Sequence, residues 1–520
     1  MSKVLPRRPV VDRRSLLRLA GLAGLAAVVA RFGRAWADEP DEPRKPDKRL
    51  NLLLITADDM NCDSVGAFGG QVAGATPNID RLASQGMKFE HAHVTIAVCQ
   101  PCRSVLLTGR YPHRSGGEGF HKITDLTAPT LWERLRRAGY RTGLMAKETH
   151  CLPKPTDKPD RVVAGAADLG RGRDPKRYYA HAKRFFADAA KAGKPFFLMA
   201  NSQDPHRPFS GSDQEKARWA NEKIAAPSRT FQPDEITVPG FLPKLPEVRR
   251  EIAEYYSSVR RCDDTVGAVL KALDESNLAD NTLVMFLSDH GIACPFAKTN
   301  CYLHSTRTPW IVRWPGKVQP GSADREHFIS GIDYLPTVLE AVGLEAVMGA
   351  DGRSFLPLLR GQKQTGREMV FTQFHQTSAR RRFPMRCVQN KRFGYIFNPW
   401  SDGERAFKNE SQSGRTWSAM VRAGAEDPAV AARVKLFSYR VLEELYDFEA
   451  DPDALRNLAG DPKHKADLDA MRQALREWMV ATKDPALAAF DHREDPEALA
   501  KFMEAQNAAA GARPRRKKKR

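Results

Sequence analysis

Short apolar runs alternate with longer helical patterns along most of the chain. Leu50 to Thr56 is apolar almost throughout, which is typical of a strand buried on both faces of a parallel sheet. Three more runs have strand character: Arg141 to Ala146, Pro195 to Ala200 and Thr282 to Ser288. Val248 to Asp274 has the spacing of a long helix. Strands that alternate with helices predict an α/β fold with a mainly parallel sheet.

Two shorter helices carry end signals. Thr76-Pro77 offers a cap followed by a proline in the first turn, and Gly86 ends that helix. The pattern from Pro129 to Ala138 is closed by Gly139. Both helices fit between predicted strands, as the α/β interpretation requires.

The pattern changes after about Leu359. Short strand-like pieces, Met369 to Phe374 and Phe393 to Phe397, are followed by polar helices. This predicts a smaller C-terminal α+β subdomain. We therefore expect five segments: an N-terminal signal at 1–37, a linker at 38–48, a main domain at 49–360, the subdomain at 361–490, and a helical or disordered basic tail at 491–520.

The first 37 residues have the features of an export signal. Arg13-Arg14 opens a twin-arginine motif, an apolar run of 12 residues ends at Ala30, and Ala35-Trp36-Ala37 is a cleavage site of the A-x-A type. Twelve residues are too few to span a bilayer, although an uncleaved anchor is the alternative. We expect export by the twin-arginine translocase, a mature chain that starts near Asp38, and a periplasmic or extracellular location without membrane attachment.

The net charge of +19 is concentrated at the two ends. Residues 1–37 hold eight Lys or Arg and one acid, and residues 513–520 hold seven basic residues, so the chain between them is only mildly basic. No nucleic-acid partner is expected on this basis. The hydrophobic share of 42% excludes full disorder. Eight thinly spread cysteines exclude a disulfide scaffold and favour buried free thiols.

Polar residues follow two of the predicted strands. Asp58-Asp59 comes after the first, and Asp289-His290 comes after the strand that ends at Ser288. Ligands of open α/β sheets bind beyond the carboxyl ends of the strands, and three carboxylates with one further donor suit a hard divalent cation such as Ca²⁺. Successive strand residues point to opposite faces, so Asp58 and Asp59 can serve one ion only if the chain turns there. The alternative is that each aspartate caps a helix or turn.

A second candidate centre surrounds Cys99. A short helix is predicted from near Pro101 to Gly109, which places Cys99 at a helix N-terminus, where the dipole favours negative charge. Arg103 lies one turn along on the same side. Such a position suits an anionic nucleophile or an anionic substrate. Taken alone, Cys99-x-x-Cys102 also allows a redox or metal pair.

The residues around Cys99 resemble the signature of the sulfatase family. That signature is Cys, any residue, Pro, usually Ser, and Arg, followed within a few residues by Thr-Gly. Cys99, Pro101, Arg103 and Thr108-Gly109 match it, whereas Cys102 stands where Ser is usual. The departure at Cys102 bears on how efficiently Cys99 is modified.

The resemblance covers most of residues 48–480. Its other segments are Asp58-Asp59, Thr76 to Asp80, the loop Asp204-Pro205-His206, and Ser288 to Gly291. Three stretches are most similar to the heparan N-sulfatase branch of the family: Phe296 to Tyr302, Pro384 to Gln389, and Glu444 to Asp447 with the later Asn457-Leu458-Ala459.

Membership of this family implies an alkaline-phosphatase-like fold and a formylglycine-dependent hydrolase. The cysteine of the signature, here Cys99, is oxidised to Cα-formylglycine by a formylglycine-generating enzyme. One hydroxyl of the hydrated aldehyde attacks sulfur, and the other expels sulfate and restores the aldehyde. A thiol lacks the second hydroxyl and cannot complete this cycle.

The same resemblance implies roles for the other candidates. One divalent cation, Ca²⁺, is held by Asp58, Asp59, Asp289 and His290, the last in place of the Asn of many relatives. Arg103 holds the nucleophile, and the further candidates for sulfate contact or proton transfer are Lys147, His150, His206 and Lys298.

Two groups of candidates are less closely tied to the motif. Lys147 and His150 are one residue further apart than the Lys-x-His spacing of the family, so a bulge or turn must absorb the difference. The resemblance also places His121, His375 and Arg386 in the sugar pocket, although core or surface positions are equally compatible with the sequence.

The expected partner is a sulfated oligo- or polysaccharide, with N-sulfoglucosamine as the preferred group. The alternative within enzymes is an O-sulfatase that acts on another sulfated polysaccharide. Two alternatives of other classes stay open: a glycan-binding protein that keeps Cys99 as a thiol, and a thiol redox protein that uses Cys99 with Cys102.

Overall fold

The computed structural model describes residues 49–511. The predicted signal and linker, and the basic residues 513–520, lie outside these described residues. Among the helices of residues 49–511, none is long and apolar enough to cross a membrane. All eight cysteines are buried and free, as the composition predicts.

An eight-stranded, mainly parallel sheet organises the first part of the described chain. Its order is β5-β4-β6-β1-β7-β8-β2-β9, and β8 runs antiparallel to both of its neighbours. A second, two-stranded sheet pairs β10 with β3. The bounds are β1 Asn51–Asp58, β2 Met87–Phe89, β3 Ala92–His93, β4 Arg141–Met145, β5 Arg161–Val163, β6 Phe196–Pro205, β7 Thr282–Ser288, β8 Trp310–Arg313, β9 Ser322–Asp324 and β10 Ile329–Ser330.

Strand β1 is central to the large sheet, and all eight of its residues are buried. It pairs in parallel with β6 on one side and with β7 on the other, which confirms the prediction of a strand buried on both faces. Strand β6 is longer than predicted. Asp204-Pro205 is therefore the end of a strand and not a loop, because Pro205 still pairs with Asp58.

Helices pack against this sheet, and the predicted ones are present with small shifts at their ends. The Thr130 side chain and Glu133 form a capping box, so that helix begins at Leu131. The α-helices are Pro77–Ser84, Cys99–Thr108, Pro112–Ser115, Leu131–Arg137, Gly165–Asp168, Pro175–Lys191, Asp213–Arg218, Pro246–Asp274, Leu303–Thr306, Tyr334–Ala341, Leu356–Leu359, Arg415–Ala423, Pro428–Tyr439, Lys465–Thr482, Leu487–Asp491 and Pro496–Gly511.

The C-terminal part contains an antiparallel sheet of four strands, in the order β11-β12-β13-β14. The helix Lys465–Thr482 packs on β12 and β13. This arrangement confirms the smaller α+β subdomain. The bounds of these strands are β11 Val370–Gln376, β12 Arg382–Gln389, β13 Phe393–Phe397 and β14 Glu443–Asp447.

Candidate active site

Three neighbouring strands end side by side at one edge of the large sheet. Asp58 at the end of β1 pairs with Pro205 of β6, and Ala57 pairs with Ser288 of β7. The residues that follow these strand ends therefore meet in space. Ligand atoms within 4.8 Å of one another come from five buried side chains: Asp58, Asp59, Cys99, Asp289 and His290.

A turn at Asp59 lets two successive aspartates face the same point. Asp59 has a φ of +69°, in the left-handed region that few residues other than Gly, Asn and Asp adopt readily. Its backbone N–H donates to Oδ1 of Asp289 at 3.0 Å, which holds the turn against β7. The chain therefore turns at Asp59, which is the condition for both aspartates to bind one ion.

The donor set of this cluster fits a divalent cation. Oδ1 of Asp58 and Oδ1 of Asp59 are buried and accept no hydrogen bond from any described residue, so their lone pairs are available to an ion. Three carboxylates suit Ca²⁺, whereas the imidazole of His290 is a softer donor. The four residues present therefore fit a divalent ion, and the imidazole widens the range of metals they suit.

The hydrogen bonding of His290 orients its ring toward the cluster. Nδ1 lies 3.0 Å from the carbonyl of Gly291, to which it donates, so the lone pair of the neutral ring is on Nε2. Nε2 lies 3.3 Å from Oδ1 of Asp59 and 3.4 Å from Sγ of Cys99. Burial lowers the pKa of His290 to about 4, which keeps the ring neutral and able to bind a metal.

Cys99 is the first residue of the helix Cys99–Thr108, which starts two residues earlier than predicted. Its side chain is buried, and burial raises the pKa of the thiol well above its usual value. The helix N-terminus does not offset this desolvation, so the unmodified side chain is a neutral thiol.

Arg103 lies one turn further along the same helix and is fully buried. Its Nη1 donates to Oδ2 of Asp289 and lies 3.6 Å from Oδ1 of Asp58 and 3.4 Å from the carbonyl oxygen of Cys99. One guanidinium therefore connects the Cys99 helix to the carboxylates of two different strands. This contact fixes the position of Cys99 relative to the cluster.

Two buried lysines face the aspartates from the other sides. The ammonium of Lys147 contacts Asp58, and that of Lys298 lies 2.8 Å from Oδ2 of Asp59. Burial lowers the pKa of Lys147 to about 8. Together with Arg103, these side chains place three cationic groups around Cys99, as binding of a small anion requires.

The extra residue between Lys147 and His150 is absorbed by a tight turn. Ala146 and Lys147 both have a φ of +54°, and the N–H of His150 donates to the carbonyl of Lys147 at 2.8 Å. The ring of His150 packs edge-on against Phe120, with centroids 5.7 Å apart. Burial, with the charge of Lys147, lowers the pKa of His150 to about 2, so its ring is neutral.

His206 follows the last residue of β6 and lies beside the cluster. Its Nδ1 donates to the carbonyl of Arg207 at 2.6 Å, and its Nε2 lies 4.0 Å from Oδ2 of Asp59. The same Nε2 lies 3.3 Å from Oε1 of Glu410. This ring therefore stands between an aspartate of the cluster and an acid from the C-terminal part of the chain.

Glu410 is a member of the site that sequence reasoning missed. Its Oε2 lies 2.8 Å from Nζ of Lys298, and its side chain is about one-third exposed. The turn that carries it is anchored because the side chain of Asn409 donates to Oγ1 of Thr299. A single glutamate in a polar stretch has no sequence signal, since its importance comes only from the fold that brings it to Lys298.

The structure does not bring all the sugar-pocket candidates to the cluster. The guanidinium of Arg386 is buried and makes two hydrogen bonds to Asp484, at 2.5 and 2.9 Å. His375 is buried beside it, with Nδ1 3.5 Å from Oε1 of Glu118. His121 lines a cavity of about 400 Å³, and its carbonyl accepts a hydrogen bond from Gln100, the neighbour of Cys99.

The amino-acid sequence was compared with the profiles of known protein families, and it matches one of them over more than half of its length. A sequence profile of the sulfatase family fits residues 50–344. The chain belongs to the sulfatase family. A second profile, described as the C-terminal region of N-sulphoglucosamine sulphohydrolase, fits residues 289–402 of this sulfatase. The resemblance drawn from the residues around Cys99 is thereby confirmed, and with it assignment to the hydrolases of sulfuric esters.

Two curated relatives align with most of this sulfatase. Human N-sulphoglucosamine sulphohydrolase is 30% identical over 471 residues, which cover 85% of this chain and 92% of the human protein. An ulvan-active sulfatase of Formosa agariphila is 29% identical over 436 residues, with 84% and 80% of the two chains covered.

Solved structures confirm the fold. A 2-O GAG sulfatase matches with a TM-score of 0.62 and 22% identity, over 87% of this chain and 96% of its own. A protein solved with its substrate D-glucosamine-2-N,6-O-disulfate matches with a TM-score of 0.63 and 18% identity, over 84% and 99%. A phosphonate monoester hydrolase of Agrobacterium radiobacter has a TM-score of 0.60 and 20% identity, over 84% and 96%. These likenesses establish the alkaline-phosphatase-like architecture.

Proposed function

We propose that this sulfatase removes sulfate from sulfated sugars by means of a formylglycine made from Cys99, with N-sulfoglucosamine as its preferred group. The observation that carries the proposal is the position of Cys99. Its Sγ lies among the ligand atoms of Asp58, Asp59, Asp289 and His290, all within 4.8 Å of one another. A nucleophile at this point can reach a sulfur atom whose oxygens contact both a cation and the surrounding basic side chains.

Each member of the site has a distinct task in this proposal. The four ligands hold a divalent ion, Ca²⁺, which when bound polarises an oxygen of the sulfate group. The hydrated aldehyde at position 99 supplies the attacking hydroxyl and the second hydroxyl that expels sulfate. Arg103, held by Asp289, keeps position 99 in register with the ligands.

The remaining polar side chains act on the substrate. Lys147 and Lys298 balance the charge on the sulfate oxygens. Nε2 of His206 faces the side of the cluster that Glu410 borders, and the Glu410 carboxylate favours the protonated ring. In that form Nε2 carries a proton that it can transfer to the leaving nitrogen or oxygen. His150 supports the Lys147 turn and, through Phe120, the wall of the neighbouring cavity.

The preference for N-sulfoglucosamine rests on the sequence comparisons. Support comes from the N-sulphoglucosamine sulphohydrolase profile over residues 289–402 and from the human relative at 30% identity. The ulvan-active relative at 29% identity favours the second candidate, an O-sulfatase for another sulfated polysaccharide. The signal at residues 1–37 supports export by the twin-arginine route, after a formylglycine-generating enzyme has modified Cys99.

Two measurements test this function. Peptide mass spectrometry of the Cys99 segment, from protein made in its native host, should find an aldehyde or its hydrate in place of the thiol. Release of inorganic sulfate should then be faster from glucosamine N-sulfate than from glucosamine 6-O-sulfate. An unmodified thiol in all of the protein contradicts the mechanism, and faster release from the O-sulfate contradicts the preferred group.

A further inference from the structure

A strongly basic cavity lies in the C-terminal part of the molecule, outside the metal cluster. Its volume is about 620 Å³, in the range that binds a small organic ligand. Within residues 49–511, no acidic side chain lines it. Its charged lining consists of Arg380, Arg381, Arg382, Arg405 and Lys408. We refer to it as the outer cavity.

Three of these five cations lack an acidic partner in the part of the chain that the structure describes. Arg382 pairs with Glu118, and Arg405 lies 3.8 Å from Asp402. Arg380, Arg381 and Lys408 are exposed, and no carboxylate of residues 49–511 lies within ion-pair distance of them. Cations that are held close together repel one another. A ligand with several negative charges relieves this repulsion, so the grouping attracts such a ligand.

The outer cavity borders a second cavity, with which it shares part of its lining. This inner cavity, of about 400 Å³, shares Arg380 and Ala510 with the outer one. Its wall includes Phe120 and His121. We refer to the two adjoining cavities together as the groove.

Two contacts connect the inner cavity to the reacting centre. The ring of Phe120 packs on His150, whose backbone closes the Lys147 turn. The side chain of Gln100, next to Cys99, donates to the carbonyl of His121 at 2.8 Å. The wall of the inner cavity is therefore in contact with residues that flank Cys99 and Lys147.

We propose that this groove binds the continuing chain of a sulfated glycan, with anionic groups of that chain at Arg380, Arg381 and Lys408. The inference rests on the proposed function, because the sugar whose sulfate group reacts at Cys99 is taken as the end of the glycan from which the rest of the glycan extends. An aromatic wall in the inner cavity followed by unpaired cations in the outer one suits a sugar ring followed by sulfate or carboxylate groups. The enzyme is then selective for oligosaccharides over the free monosaccharide.

The test compares two triple variants that remove the same charge. R380A/R381A/K408A removes the unpaired cations of the groove, and K191A/K223A/K317A removes three exposed lysines elsewhere. Both are made in a C99A background, and binding of a heparin-derived hexasaccharide is measured by titration calorimetry. The groove variant should bind about tenfold more weakly than C99A, whereas the control should bind within about twofold of it. Unchanged thermal unfolding of both variants verifies that they are folded.

Kinetics separate this inference from the proposed function. With Cys99 present, the groove variant should have a KM for the sulfated hexasaccharide raised about tenfold, with unchanged kcat and unchanged turnover of glucosamine N-sulfate. Equal loss of binding in both triple variants, or no loss in the groove variant, overturns the inference. Selective loss of binding together with no sulfate release in the parent protein supports the groove and contradicts the proposed function.

Discussion

Nζ of Lys298 lies 2.8 Å from Oε2 of Glu410 and 2.8 Å from Oδ2 of Asp59. One ammonium group thus joins the cluster of buried aspartates to the C-terminal part of the chain. Burial opposes the charge of Glu410, but Lys298 and then His206 lower the pKa of its carboxyl well below the usual range. Glu410 is therefore an anion beside the two side chains that the proposal assigns to sulfate and to the leaving group.

Replacing Glu410 with Gln should tighten the binding of inorganic sulfate. The carboxylate repels a sulfate ion at Lys298, and its removal at this partly exposed position is worth about 1 kcal/mol, or roughly fivefold. The measurement is the inhibition constant of sulfate in the desulfation assay. E404Q, at an exposed glutamate nearby, is the matched control and should behave as the parent. Weaker inhibition in E410Q would show that Glu410 supports the anion site instead of competing for it.

Cys99 and Cys102 should respond in opposite ways to substitution. C99A should abolish sulfate release and leave the fold intact, because the side chain adds little to the core beyond its small volume. C102S restores the usual residue of the signature and should retain or increase the fraction of Cys99 converted to the aldehyde. Intact-protein mass and sulfate release measure both effects. Loss of activity in C102S with Cys99 remaining a thiol in the parent protein would favour the redox interpretation.

Removal of the divalent ion should lower stability as well as activity. An ion that binds the folded state alone stabilises it by mass action, so added Ca²⁺ should raise the unfolding temperature of chelator-treated protein. D58N removes one ligand and should reduce this rise. Circular dichroism melts with and without Ca²⁺ provide the comparison. A rise of the same size in D58N would place the stabilising ion elsewhere.

Asp204 should prove structural. Its carboxylate pairs with Arg173 and accepts from Nε of Arg261 at 2.7 Å, and all three side chains are buried. D204N leaves two buried guanidinium groups undercompensated, so the free energy of unfolding should fall by about 3 kcal/mol in denaturant titrations. E222Q, at the exposed partner of Arg171, should leave it unchanged. Equal losses of unfolding free energy in D204N and E222Q would contradict the view that burial makes the ion pairs of Asp204 important for stability.

Local sequence signals were sufficient for the strands and helices that build the site. The apolar run of β1 and the span of β7 were readable directly, since periodicity and burial of a strand depend on its own residues. The motif around Cys99 and the acidic ends of the strands also identified the cluster. The end of β6 was misjudged, because its last residues are extended by pairing with β1.

Features that depend on distant residues needed the tertiary structure. Glu410 reaches Lys298 only because the C-terminal part of the chain packs against the edge of the large sheet. Arg386 donates to Asp484, a pairing over 98 residues that no local pattern indicates. The fold class, the candidate nucleophile Cys99 and the residue types at the strand ends can be read from the sequence alone, since they follow from local pattern and motif. Packing between remote segments decided which charges face one another and where the basic groove lies.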